Sequence, residues 1–230
     1  MANEIFRRDS VPEIPFLIKD PKKRAEAEAE NGLRQFDLAM SILDQALDEN
    51  YPDFLLTSSI ILQLQQCALN GISPFAGTYR PGSVKIIGSK HQPPENFMVP
   101  KYVEEMCEYV NQNLSGQKAK SPFHLAAFIM WRLNWIHPFA DGNGRTSRMT
   151  SYLVLCGALK NKLPGTKTIP DFIAGKSRKA YYKALEAADK SWTEGKEINL
   201  TEMEDLLESL LSRQLLTVIE DAKSTKRLKK

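Results

Sequence analysis

The chain has 230 residues, 42% of them hydrophobic and 26% charged, proportions that fit a soluble globular domain large enough to bury a real core. Its 31 Lys and Arg against 28 Asp and Glu leave a formal net charge of only +3, much of it in the run Lys223 to Lys230, so the body lacks the excess charge of a nucleic-acid grip and the tail reads as a solvated terminus. No apolar run reaches the ~20 residues of a membrane span, the first ten residues lack a signal peptide's apolar core, and Cys67, Cys107 and Cys156 stand singly; a membrane protein, a disulfide framework and a cysteine zinc site are disfavoured, and a cytoplasmic location is expected.

Residues 1–20, rich in proline and mixed charge, read as an extended arm. From Lys22 to Leu47 the residues Leu33, Phe36, Met40, Leu43 and Leu47 recur at intervals of three and four, which predicts an amphipathic helix stopping near Asn50-Tyr51-Pro52. A second helix is predicted over Phe54 to Leu69, ended by Asn70-Gly71. Val84, Ile86 and Ile87 then form one apolar arm and Phe97 to Val99 another, joined by GSKHQPPEN; this predicts a short hairpin, with His91 as a solvated loop histidine. Such a ribbon has an edge able to accept an extended peptide.

Ser121 and Pro122 make a good helix start, and the segment they open, PFHLAAFIMWRLNWI, is apolar almost all round. It should be the buried centre, with His124 as a core histidine, and it ends directly at His137. A helix from Asn143 to about Lys160 follows, burying Met149, Tyr152, Leu153 and Cys156. Further helices are expected near Ser177–Lys190 and from Leu200 to about Glu220, the last capped by Asn199 and lined by Leu200, Met203, Leu207, Leu210 and Leu211. Packing of that stripe on the core is favoured over pairing with a second subunit. The chain divides into an arm (1–20), a main domain (21–195) and a C-terminal helix with its basic tail (196–230), without internal repeats.

Between the two central helices lies HPFADGNGRTSR, His137 through Arg148. Gly142 and Gly144 let backbone amides approach an anion closely. Arg145 and Arg148, three apart on a helix starting near Asn143, share one face near its positive end and could grip two phosphates. Asp141 is a hard oxygen ligand beside them, as Mg²⁺ needs when it is shared with phosphate oxygens. His137 can take a proton from an attacking hydroxyl near neutral pH. The set reads as phosphoryl or nucleotidyl transfer on a nucleotide–Mg²⁺ complex.

This string resembles the Fic family signature, HPFx(D/E)GNGRxxR, at every fixed position, and Ser73 to Gly88, SPFAGTYRPGSVKIIG, resembles the family's AG-x-x-R turn and flap. The likeness covers roughly residues 20–190, so the segment 21–195 is taken as a Fic domain. It implies an all-α, Fic-type helical bundle with a small β-hairpin flap beside the active site, and transfer of AMP from ATP to a Ser, Thr or Tyr hydroxyl of a protein with release of pyrophosphate. By that resemblance His137 is the base and Asp141 holds Mg²⁺ on the α- and β-phosphates. Gly142, Asn143 and Gly144 contact phosphate, Arg145 holds the β-phosphate and Arg148 the γ-phosphate. The flap residues Val84, Lys85, Ile86 and Ile87 register the target. The phosphate-transferring Doc branch has lysine where Gly144 stands, so glycine favours AMP transfer.

Many Fic proteins carry an inhibitory helix, (S/T)xxxE(G/N), whose glutamate pairs with the second arginine of the signature. Here EAEAENGLRQF supplies Glu30 and Asn31, with Glu26 at the hydroxyl position, and Glu30 is the matching candidate for a rival of phosphate at Arg148. TSSIILQ has the hydroxyls but not the glutamate. Against a self-inhibited adenylyltransferase stand a non-catalytic nucleotide-binding module and a Doc-like phosphotransferase; auto-modification and a homo-oligomer stay open.

Overall fold

The computed structural model describes residues 16–89, 91–117, 119–195 and 197–228, so residues 1–15 of the expected arm and the end of the basic tail lie outside the described residues. Its long elements are helices: α1 (Pro21–Leu47), α2 (Ser58–Leu69), α3 (Val99–Asn113), α4 (Pro122–Ile136), α5 (Asn143–Ala158), α6 (Ile169–Ala174), α7 (Arg178–Gly195) and α8 (Thr201–Leu228). Among the described residues no helix is long and apolar enough to cross a membrane.

Helix α4 is the centre, as its unbroken apolar composition requires, with Leu125 through Trp131, Leu133, Asn134 and Ile136 all buried. The Ser121 side chain accepts a bond from the His124 N–H at 2.9 Å and Pro122 opens the first turn, which fixes where the helix begins. Helix α5 lies along it, sealed by Ser151 Oγ donating to the Ala126 carbonyl at 2.8 Å. Buried Asn134 donates to Ser147 Oγ and to the Tyr181 hydroxyl, both at 2.8 Å, and so ties α4, α5 and α7 at one point. Leu200, just before α8, and Met203, Leu207 and Leu210 on its inner face join the same core. His124 bridges α3 and α8, its Nδ1 2.9 Å from Glu204 and its Nε2 2.9 Å from the Tyr109 hydroxyl, which places it among core polar contacts rather than at a second catalytic site.

Four features differ from the sequence reading. Helix α1 does not bury Leu33, which is 70% exposed; its buried line is Asn31, Gln35, Ala39 and Leu43. The reason is what α1 lies against. Gln35 donates to the Leu64 carbonyl at 2.9 Å and Asn31 to the Asn70 carbonyl at 2.8 Å, so the near-site end of the helix faces backbone acceptors that leucine could not satisfy.

Second, the hairpin is absent among the described residues. Val84 and Lys85 run without regular structure, Ile86 forms only an isolated bridge, Phe97 and Met98 belong to a 3-10 turn (Asn96–Met98), and Val99 is the first residue of α3. Pro93 and Pro94 lack ladder donors, and Pro100 sits in the first turn of α3, where it favours helix. Third, α3 and α6 are unforeseen elements. Last, His91 is not a solvated loop residue: its Nε2 lies 2.7 Å from the Trp135 carbonyl and its ring tilts over that indole at 5.3 Å.

Candidate active site

Helix α4 stops at His137, whose backbone is left-handed at φ 50°, ψ 57° while its N–H still bonds the Leu133 carbonyl at 2.9 Å. A non-glycine residue there costs roughly 1–2 kcal/mol, so neighbours must hold it. Arg80 Nε donates to the His137 carbonyl at 2.8 Å and the Arg80 N–H to the Pro138 carbonyl at 2.9 Å. The imidazole is 2% exposed, with Nδ1 3.4 Å from the Asn134 carbonyl. When Nδ1 carries the ring proton in that orientation, Nε2 is the basic nitrogen of the neutral ring.

The chain then reverses in six residues. Phe139 drops into the core, fully buried and stacked on Tyr79 at 6.0 Å between ring centres. Asn143 uses both ends of its amide on that residue, accepting from the Phe139 N–H at 2.9 Å and donating to its carbonyl at 2.8 Å. Its side chain therefore builds the turn and is occupied there, leaving its backbone N–H at the helix start as the group that an anion would meet. Gly142 has φ 81°, and a Cβ added to it would fall 2.4 Å from Leu69 Cδ2, so conformation and space both demand glycine. Gly144 is helical; what it provides is room, since a Cβ there would lie 3.1 Å from Arg148 Nη1. The first α-helical bond, Thr146 N–H to the Gly142 carbonyl at 2.9 Å, comes after the N–H groups of Asn143, Gly144 and Arg145, the donors that a helix start leaves for an anion.

Asp141 accepts from the Gly142 N–H at 2.7 Å and lies 3.4 Å from Arg145 Nη2. A single part-exposed carboxylate beside a phosphate cradle suits a Mg²⁺ ion that takes its remaining ligands from substrate and water, and no cluster of three or more His, Cys, Asp or Glu that could hold a metal alone occurs among the described residues. From α2, buried Gln65 donates to the Asp141 carbonyl at 3.2 Å while its carbonyl oxygen accepts from the Gly77 N–H, joining the signature loop to the Ala76–Arg80 turn. Sequence reasoning missed Gln65, and met Arg80 only as the arginine of the AG-x-x-R turn, without a role at the site.

The two arginines differ. Arg145 stands between carboxylates, 3.4 Å from Asp141 and 3.6 Å from Glu28 of α1. Arg148 has no ion pair among the described residues; burial pushes its pKa down, the Tyr181 and Tyr182 hydroxyls oppose that, and Arg145 and Arg178 add to it. Both arginines line a cleft of about 440 Å³ closed by Gly32, Leu33 and Phe36 of α1, Met149 of α5 and the stretch from Gly165 to Ala174.

Glu30 does not reach this cleft. It is 69% exposed and lies 3.5 Å from Arg34, its neighbour one turn on. Residues two apart on a helix project about 200° from each other, so Glu28 and Glu30 cannot both face α5. Glu28 shares its face with Gly32 and Gln35, four and seven residues on, and both line the cleft. Motif matching chose the glutamate by its neighbour Asn31; the face of α1 that is buried, through Asn31 and Gln35, selects Glu28 instead.

Residues 55–155 match the model of the Fic/DOC family. A Protein adenylyltransferase Fic from Drosophila willistoni is 29% identical over 161 residues, 70% of this chain and 29% of that protein. The chain thus spans less than a third of the length of the curated relatives it matches. A Fic domain containing signaling protein from Bacteroides thetaiotaomicron superposes with a TM-score of 0.65 at 21% identity, covering 90% of this chain and 76% of that one. BepC from Bartonella tribocorum, solved with bound AMPPNP, superposes at 0.53 with 20% identity, covering 84% and 88%. These structural likenesses establish the helical fold.

The Gly142 turn yields a direct test. Gly142→Ala should destabilise the fold by about 2–4 kcal/mol in urea unfolding, through φ strain plus overlap with Leu69. Adding Leu69→Ala should make the double variant less unstable than the sum of the two singles. Simple additivity would show that the two residues do not collide.

Proposed function

Proceeding from a chain that carries a Fic/DOC family domain, we propose that it transfers AMP from ATP to a hydroxyl side chain of a protein. The observation carrying this reading is the single turn that sets a buried histidine immediately before a helix start furnished with two arginines and a carboxylate. The target oxygen attacks the α-phosphorus, its proton passes to His137, and the bond to the bridging oxygen breaks so that pyrophosphate leaves. Arg145, Arg148 and the first amides of α5 hold the phosphates, and Asp141 holds Mg²⁺, which when bound offsets phosphate charge. Gly144 leaves Arg148 unobstructed, where a lysine would crowd it.

The segment Val84–Ile87 follows Arg80, which bonds the His137 carbonyl, and Ile87 is half exposed; we assign it the registering of the target backbone beside His137. Glu28 is the internal rival of phosphate, at Arg145 rather than at Arg148. At 3.6 Å and partly exposed it is a weak latch, worth under about 1 kcal/mol.

Incubation with α-labelled ATP and Mg²⁺ should label protein, and His137→Ala should abolish the label; Ile87→Pro, which removes an N–H donor, should cut transfer while ATP binding persists. Label from the γ position would indicate phosphate transfer instead, and binding without either label would indicate a non-catalytic module. Glu28→Gln should tighten ATP binding about two- to five-fold in calorimetric titration, with Glu30→Gln unchanged. An effect confined to Glu30 would reverse the assignment.

A further inference from the structure

Arg80 lies outside the signature and is only 3% exposed, an unusual place for a cation. Burial pushes its pKa down, with Glu95 partly opposing. What it gains there is a set of carbonyls. Its Nε donates to His137 at 2.8 Å, Nη1 to Gly82 at 2.7 Å and Nη2 to Pro94 at close range, while its own N–H reaches Pro138. Gly82 and Pro94 bracket the loop that contains Val84–Ile87, and Asn96 Nδ2 closes the same base by donating to the Pro81 carbonyl at 2.9 Å. One planar guanidinium thus ties both ends of that loop to the backbone of the residue whose left-handed turn aims the imidazole.

We propose that Arg80 is a positioning residue that sets the distance and angle between the loop 82–94 and His137, so that target placement and base placement are held by one group. The proposal rests on the adenylyl-transfer reading for its kinetic consequence and on geometry alone for its structural one. A rigid fork with three used donor directions is needed because the three carbonyls lie on different segments; a lysine keeps the charge but has one flexible ammonium and cannot span them. Misplacement of a catalytic group by about 1 Å can cost on the order of 100-fold in rate. No phosphate-binding group is among the partners of Arg80, so loss should appear in turnover and not in nucleotide binding.

The test is Arg80→Lys in the full chain, with Arg80→Gln as a second, uncharged variant. Thermal unfolding establishes that each is folded, and backbone amide hydrogen exchange, ATP affinity and transfer of α-label are then measured. The expected result is a kcat reduced on the order of 10- to 100-fold in both variants, ATP affinity within two-fold of wild type, and faster exchange in both residues 82–94 and 137–142. Retained kcat in Arg80→Lys, a matching loss of ATP affinity, or faster exchange in only one of the two segments would overturn the proposal. Absence of label from wild-type protein would refute the adenylyl-transfer reading, and the exchange pattern would still decide whether Arg80 couples the two segments.

Discussion

Everything at this site depends on reversing the chain between two packed helices within six residues. Left-handed backbone at His137 and at Gly142 brackets the reversal, and only the second is a glycine. The conformation at His137 is unfavourable in isolation and persists because buried groups exceed its cost: Arg80 on its carbonyl, Phe139 anchored in the core, and Asn143 bonded to both sides of Phe139. The same turn that strains the histidine presents its ring and starts the next helix where an anion can meet amides and arginines. Fold and chemistry are here one constraint.

The consequence is an electrostatic asymmetry across one helix turn. Arg145 already faces two carboxylates, whereas Arg148, part-buried on the cleft wall, has no ion pair among the described residues, and burial pushes its pKa down. A part-buried cation on a cleft wall, with no ion-pair partner among the described residues, is a place where an anionic ligand gains most, because little charge has to be displaced. Arg145 must instead exchange Glu28 for phosphate. That exchange is gentle at a partly exposed site, which suits a contact meant to yield to ligand rather than to exclude it.

Much of this was legible in the sequence because its signals are local. The cap Ser121-Pro122, the apolar run that follows and the density of functional residue types from His137 to Arg148 gave the centre of the fold and the place of the chemistry. Nonlocal facts were not legible. The polar line Asn31 and Gln35 breaks the hydrophobic pattern that predicts burial of Leu33, because those residues face carbonyls of α2 that no string reveals. Arg80 and Gln65 act across 57 and 76 residues of chain. The hairpin expectation failed on information that was present: Val99, Val103, Met106 and Val110 follow helical spacing with Pro100 in the first turn, and that period outweighs the short apolar run at 97–99. Glu28 was hidden as Asn31 and Gln35 were, since it shares its face with Gly32 and Gln35 and not with the apolar line through Leu33 and Phe36.

The central claim is that the turn from His137 to Arg148 is already shaped to receive nucleotide. A crystal structure of the chain with Mg²⁺ and a non-hydrolysable ATP analogue tests it most directly. The account predicts phosphates on the first amides of α5 with Arg148 in contact, Glu28 withdrawn from Arg145, and His137 still at positive φ facing the α-phosphorus. Nucleotide bound elsewhere, or a His137 that relaxes to ordinary helical or extended backbone on binding, would contradict it.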